Sequence, residues 1–345
     1  LGPVVVIDTP GLDDVGELGQ KRIEKTMEVL AKTDIAMVIV DSRQGVTQLE
    51  EELLEQIKEK RLPYLIVYNK IDLCSDRKTT EEGIFVSAVT REGIQELKEA
   101  LGKIVPEDEK RRIVGDLLEP SDLVVLVVPI DKAAPKGRLI LPQQQTIRDI
   151  LESNAAAIVV KETELKQTLS YLAKKPKMVI TDSQVFAKAD AATPKDIWLT
   201  SFSILFARFK GDLEEEIKGV RAVEHLKEGA RILIAEGCTH HRQCDDIGTV
   251  KIPNWLQKHT GKKFCFETSS GNSFPKDLEE FDLVIHCGGC TLNRKEMQHR
   301  IARIKKAGVP IVNYGILIAA MQGILKRSIE PFPVAAKILS EDEMK

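Results

Sequence analysis

Arg231-Ile232-Leu233-Ile234-Ala235-Glu236-Gly237-Cys238-Thr239-His240 and Phe281-Asp282-Leu283-Val284-Ile285-His286-Cys287-Gly288-Gly289-Cys290 repeat one pattern: a short apolar run closed by cysteine and histidine. Apolar runs of this length, bounded by glycine and polar residues, predict strands buried on both faces of a parallel sheet. Open α/β sheets keep their functional crevice beyond the strand C-termini. Two such strands side by side would gather Cys238, Cys287 and Cys290 without a disulfide, and the pattern predicts a metal site. Cys287-x-x-Cys290 is a natural bite for one metal or cluster, and Gly288-Gly289 lets amides turn toward anionic sulfur. Thiolates suit iron–sulfur clusters and zinc alike. A structural zinc would close on the three cysteines and one histidine, whereas a 4Fe–4S cluster on three cysteines leaves one iron with a replaceable ligand. Iron–sulfur is the favoured reading. His240, His286, Cys244 and Asp245 are candidates for the fourth position or for support around it. Alternation along a strand turns the His286 side chain away from that of Cys287. Cys265, between Phe264 and Phe266, reads as core, and Cys74 as structural.

Composition bounds the class. The 345 residues are 30% charged and 43% apolar, with both signs interspersed to a net charge of −3. That is the balance of a soluble chain of two or three domains. It offers no basic face for nucleic acid and no polybasic patch for a membrane. Six cysteines in a chain this long do not make a secreted disulfide framework, so the expected compartment is a reducing cytoplasm. No apolar run approaches the ~20 residues of a membrane span, and no signal peptide is visible. The chain opens inside an apolar strand, which leaves the expectation that an upstream segment belongs to it.

Residues 1–105 alternate strand and helix. Pro3 to Ile7, Ile35 to Val40, Tyr64 to Tyr68 and Ile84 to Val86 read as strands, Glu50 to Lys60 and Ile94 to Leu101 as helices. The alternation predicts a doubly wound parallel sheet. Three strand ends carry guanine-nucleotide chemistry. In Asp8-Thr9-Pro10-Gly11 the carboxylate can hold magnesium through water while the glycine amide faces the terminal phosphate. In Asn69-Lys70-Ile71-Asp72 the aspartate accepts from the N1 and exocyclic amine of guanine, a donor pair adenine lacks. Asn69 braces the loops, and the Lys70 stem crosses the base plane. Ser87-Ala88 offers the Ala88 amide to the guanine carbonyl. Each motif is weak singly; their order at strand ends makes the reading. The domain resembles the Era/TrmE-like branch of translation-factor-related GTPases, with Asp41 and Gly45 echoing its Val-Asp-x-x-x-Gly stretch. Leu12 stands where Ras-like enzymes place a water-orienting glutamine, which implies slow hydrolysis or a recruited group. The phosphate-cradling loop would lie upstream of residue 1, so the chain as it stands is expected not to hydrolyse GTP.

Pro106 to Arg112 reads as a linker. Residues 113–186 repeat the α/β alternation without a catalytic constellation. Ala187 to Asp196 reads as a small polar linker, Ile197 to Phe209 as a helix, and residues 197–345 as a third alternating unit. The expected fold is α/β, three doubly wound units in series. They are a partial GTPase domain (1–105), a small central domain of spacer or dimerisation type (113–186), and a Rossmann-like cluster-binding domain (197–345).

A GTPase domain, a small central α/β unit and a terminal Cys-x-His…His-Cys-x-x-Cys domain together resemble the family of FeFe-hydrogenase maturation GTPases, which are scaffold and carrier proteins. The resemblance spans the whole chain. Asp8, Gly11, Asn69, Lys70, Asp72, Ser87 and Ala88 fall on the family's GTPase motifs, and Cys238, His240, His286, Cys287 and Cys290 on its cluster motif. It implies GTP with Mg2+, a 4Fe–4S cluster on the three cysteines, and a bound precursor of the hydrogenase diiron subcluster. It also implies a homodimer formed through the central domain, and partners in two radical-SAM maturases and apo FeFe-hydrogenase. The competing reading is a ribosome- or tRNA-maturation GTPase with a structural zinc. That would want a basic, aromatic-bearing surface or a Gly-x-x-Gly clamp, and no Lys/Arg-rich block is visible in residues 197–345.

Overall fold

The computed structural model describes residues 6–9, 26, 29–30, 32–60, 62–74, 82–104, 111–130, 139–237, 246–271 and 273–343. They fall into two compact units, Leu1–Lys110 and Arg111–Lys345.

In the first unit β1 (Ala36–Asp41), α1 (Gln48–Glu59), β2 (Tyr64–Asn69), β3 (Ile84–Phe85) and α2 (Ile94–Lys103) follow in order. The strands pair in parallel as β1-β2-β3. Thr47 and Glu50 form a capping box that starts α1, Glu50 Oε2 accepting from the Thr47 amide at 3.0 Å and relieving an orphan donor of the first turn. Leu54 and Ile57 then face Val38, Val40 and Tyr68 in one small core, as period-3.6 spacing requires. Of the strand read at Pro3 to Ile7, Pro3–Val5 lie outside the described residues, while Val6 and Ile7 are irregular and exposed.

The second unit holds two four-stranded sheets. β4 (Leu123–Val127), α3 (Leu141–Glu152), β5 (Ala156–Val160), α4 (Leu165–Tyr171), β6 (Met178–Thr181), α5 (Phe186–Ala192) and β7 (Trp198–Ser201) build the first, in the order β5-β4-β6-β7. Two elements differ from the sequence expectation. Residues 187–196 are not a linker: Ala187, Ala189, Ala191 and Ala192 favour helix and form α5, until Thr193-Pro194 stops it. Residues 197–209 are not one helix: Trp198-Leu199-Thr200-Ser201 pairs with β6, where aromatic and β-branched residues suit a pleated surface. Ser201 then caps α6 (Phe202–Lys210) by accepting from the Ile204 amide at 3.3 Å.

The chain continues through α7 (Leu213–His225), β8 (Arg231–Glu236), α8 (Ile252–Thr260), β9 (Cys265–Ser270), β10 (Leu283–His286), α9 (Arg294–Lys306), β11 (Ile311–Asn313), α10 (Tyr314–Met321), α11 (Leu325–Ile329) and α12 (Pro333–Glu343). Its sheet runs β11-β10-β8-β9, all parallel. Ile232, Ile234, Leu283 and Ile285 join a core shared with Val125, Ile180 and Leu199 of the other sheet and Phe206 of α6. Leu233, Ala235 and Val284 pack on Met297, Ile301 and Ile304 of α9. Both faces are therefore buried, and each fully buried aliphatic side chain contributes about 1.5–3 kcal/mol relative to exposure. Arg327 of α11 fastens residues 190–197, donating to Thr193 O at 2.9 Å and Pro194 O at 2.6 Å and pairing with Asp190. Cys265 is not core: it opens the edge strand β9 and is exposed. Among the described residues no helix is long and apolar enough to cross a membrane.

Candidate functional site

β8 and β10 are direct neighbours, with Ala235 opposite His286. The strand order reverses between them, since β9 lies beyond β8 and β11 beyond β10. That is the switch point at which open α/β sheets bind their ligands. The ladder runs one residue past the strand, the Cys287 amide donating to Ala235 O at 2.9 Å. Cys287 Sγ then accepts from the amides of Gly237 at 3.1 Å and Gly289 at 3.4 Å. Gly289 has φ +58, a left-handed turn that glycine makes without a Cβ penalty. Two backbone amides are thus aimed at one sulfur. Cys287 and Cys290 are both half-buried. Cys238 is the residue after Gly237, and it lies outside the described residues with His240, Cys244 and Asp245. Among the described residues no three His, Cys, Asp or Glu side chains gather as a metal-holding group.

The Cys287–Cys290 loop is held from beneath by a residue the sequence did not single out. Lys210, at the end of α6 and 7% exposed, donates from Nζ to Gly289 O at 3.2 Å, Cys290 O at 3.0 Å and Leu292 O at 2.7 Å. Burial lowers its pKa, and the neighbouring Cys290 and Cys287 oppose that shift. Its carbonyl, with that of Gly211, accepts from Gln298 of α9 at 3.0 and 2.7 Å. Lys210 is four residues past Phe206 and three past Ala207, both buried; a lysine on the apolar stripe was the sign in the sequence.

His286 is fully buried, and both ring nitrogens have protein partners. Nδ1 donates to Cys287 O at 2.7 Å and Nε2 accepts from Arg300 Nη1 at 3.3 Å. Burial pushes its pKa down to about 4, so the ring stays neutral. Arg300, 1% exposed, also donates to Glu296 Oε1 at 2.6 Å and Gly271 O at 2.5 Å, and its guanidinium lies 4.9 Å from the Phe274 ring centre. His286 thus supports the Cys287 backbone from the far side of the strand. Across the loop, the Tyr314 hydroxyl donates to Glu236 Oε1 at 3.3 Å; burial first, then the charges of Cys287 and Glu236, raise the phenol's pKa.

In the first unit the loops that follow β2 and β3 are joined. Asn69 Oδ1 accepts from the amides of Lys70 at 2.8 Å and Ala88 at 3.1 Å, and Asp72 Oδ1 accepts from Ser87 Oγ at 2.6 Å. Asn69 is the brace between loops, and the Ala88 amide is engaged in that brace rather than turned outward. Lys70 adopts φ 69 and pairs through Nζ with Asp41 Oδ2 at 2.9 Å. Arg43 pairs with the same carboxylate at 2.7 Å. Hydrogen bonds from Arg43, then Lys70, hold the Asp41 carboxyl well below the usual range. This Asp41 anchor for the Lys70 stem was missed in the sequence, because 29 residues separate the partners. Asp8 is exposed and irregular, and Gly11 lies outside the described residues.

These loops on a parallel sheet define a GTP-binding protein. A family model for the elongation factor Tu GTP-binding domain matches residues 3–107. Beyond it, the hydrogen maturase F dimerization domain matches residues 113–211 and the hydrogen maturase F tetramerization domain residues 214–331. The chain belongs to the hydrogen maturase F family and carries its oligomerization domains. Among curated proteins it is similar to the tRNA modification GTPase MnmE of Nitrosomonas europaea, 37% identical over 107 residues, covering 29% of this chain and 24% of that protein. The GTPase Der of Xanthomonas oryzae pv. oryzae is 29% identical over 126 residues, covering 34% of this chain and 26% of that protein. The chain thus spans about a quarter of the length of the curated relatives it matches.

Proposed function

We propose that the chain is part of a scaffold and carrier GTPase that binds a 4Fe–4S cluster through Cys238, Cys287 and Cys290. In this reading it assembles the diiron subcluster precursor and delivers it to apo FeFe-hydrogenase. The supporting observation is the pair of backbone amides on Cys287 Sγ at the sheet's switch point, in a chain of the hydrogen maturase F family. Donors aimed at sulfur suit a thiolate ligand of a soft metal centre. Cys290 follows on the same fastened loop, and Cys238 comes one residue after the Gly237 amide that meets Cys287. His286, with both nitrogens engaged, supports the loop, which leaves His240, Cys244, Asp245 or an exogenous group for the fourth position. When bound, the cluster supplies an iron with a replaceable ligand, to which a transferable diiron unit can attach.

The nucleotide part of the reading places guanine on Asp72, with Asn69, Ser87 and Ala88 fixing the loops and Lys70 across the base. Asp8 and Gly11 serve GTP phosphates and Mg2+. GTP hydrolysis then regulates encounters with two radical-SAM maturases and the hydrogenase, in a cytoplasmic homodimer formed through the central domain. We assign the nucleotide unit as 1–105, and the boundary read between residues 186 and 197 moves to the end of α6, because β7 belongs to the central sheet and the dimerization-domain match runs over 113–211. The test is anaerobic purification, or reconstitution with iron and sulfide, followed by visible and EPR spectroscopy. A brown chromophore with a 4Fe–4S signal upon reduction is expected. A colourless chain holding one zinc would overturn the reading and favour a structural zinc site.

A further inference from the structure

α6 belongs in sequence to the dimerization-domain match, 113–211, yet it runs beneath the Cys287–Cys290 loop and binds it through its last residue. Near its start, a Cβ built on Gly288 would sit 4.0 Å from Ser203 Cα and Oγ. At its end, the Lys210 ammonium collects the carbonyls of Gly289, Cys290 and Leu292. An ammonium has three donors, and here each has a backbone acceptor. The ammonium is buried, and among the described residues no carboxylate pairs with it; three carbonyl dipoles and the two nearby sulfurs balance it. A buried lysine is costly unless something anionic nearby uses it, and a loop of two thiolate ligands is such a neighbour.

We propose that Lys210 is a positioning residue of the metal site: it fixes the Cys287–Cys290 backbone and places its ammonium beneath the two cysteines. The inference rests on the proposed cluster reading for its second half only. Fastening three carbonyls fixes the direction in which the Cys290 side chain leaves the loop, and preorganised ligands hold a metal longer than mobile ones. The charge favours the state with one more electron, so it raises the reduction potential of any thiolate-held cluster.

The test compares wild type, Lys210→Met and Lys210→Arg as full chains. In the metal-free protein, amide exchange of peptides covering residues 286–293 is expected to quicken at least tenfold in Lys210→Met, while peptides of β4 and β6 stay unchanged. Lys210→Arg is expected to restore most of the protection. After anaerobic reconstitution, Lys210→Met should release iron to a chelator about tenfold faster, and its midpoint potential should move to a more negative value. A side chain that only fills space would leave the potential where it was. Should Lys210→Met fail to fold by near-UV circular dichroism, Lys210→Gln, which keeps two donors without the charge, carries the same comparison. Unchanged loop exchange in the uncharged variant overturns the fastening role whether or not a cluster is present. An unchanged potential in a loaded variant overturns the electrostatic role. A wild-type chain that takes up no iron refutes the cluster reading and the electrostatic role with it, while exchange still decides the fastening.

Discussion

Glu216, on the first turn of α7, is fully buried, and neither carboxyl oxygen has a hydrogen-bond partner. The carboxyl lies against Gly211, where a Cβ would come within 2.6 Å of Oε1. Burial, and then the charge of Asp212, push its pKa from 4.5 up to about 8. The unfolded chain ionises this acid above pH 4.5, whereas the folded chain keeps it protonated until about pH 8. Between those values the folded state binds more protons, so stability falls as pH rises. At about 1.4 kcal/mol per pKa unit, the loss across the window is about 3–5 kcal/mol. Glu216→Gln keeps the shape and a neutral donor but cannot ionise, so its difference from wild type isolates this group. We expect Glu216→Gln to match wild type within about 1 kcal/mol near pH 5 and to exceed it by about 3 kcal/mol or more at pH 8.5. Urea unfolding read by tryptophan fluorescence suits the measurement, because Trp198 and Trp255, the chain's two tryptophans, both lie in the Arg111–Lys345 unit. Parallel stability curves for the two proteins from pH 5 to 8.5 would refute the reasoning.

Other outcomes follow from the same geometry. Asp72→Asn, measured by equilibrium binding of guanine and xanthine nucleotides, should reduce the preference for guanine at least tenfold, since an unpaired buried polar group costs about 1–3 kcal/mol. Cys238→Ser, Cys287→Ser and Cys290→Ser should each abolish the visible chromophore of the reconstituted chain. His286→Ala should keep most of it while losing about 2–3 kcal/mol of stability, because the Arg300 Nη1 bond and the Cys287 carbonyl bond disappear together. Gly219→Ala should destabilise by about 3 kcal/mol or more in thermal unfolding, because its Cβ would fall 1.8 Å from Ile311 O of β11.

The sheet carrying the Cys287–Cys290 loop was legible because its signal is local and doubled. Two apolar runs with equivalent endings predict two equivalent strands, and β8 and β10 are paired neighbours. The loops after β2 and β3 were legible as strand ends for the same reason: each motif closes a strand with a short string of chemically committed residues. β7 was not legible. Trp198-Leu199-Thr200-Ser201 runs directly into Phe202-Ser203-Ile204-Leu205-Phe206, and an apolar run of that length reads equally as one buried helix. Only pairing with β6 separates the two halves, and pairing between strands twenty residues apart leaves no trace in local periodicity. Cys265 misled in the opposite way: its aromatic neighbours suggested core, but strand order placed β9 at an edge.

Within the candidate site, the cysteines stood out in the sequence and the residues that hold their loop did not. A thiolate announces itself by residue type, whereas a support acts through the backbone and can come from anywhere the fold delivers it. Lys210 reaches Gly289 from 79 residues away, and Arg300 reaches His286 from 14. Both share a feature that a sequence does contain. Lys210 falls on the apolar stripe of Phe206 and Ala207, and Arg300 on that of Met297 and Ile304, so each is a cation at a helix position that should be buried. Burying a cation without compensation costs several kcal/mol, so a stable fold must bring acceptors to it. For Lys210 the acceptors are carbonyls of the Cys287–Cys290 loop, and for Arg300 they are Glu296, the Gly271 carbonyl and the His286 ring at the end of the loop's strand. The misplaced charge of Lys210 in an apolar stripe therefore marks where a loop is held in place, and the loop held is the one bearing Cys287 and Cys290.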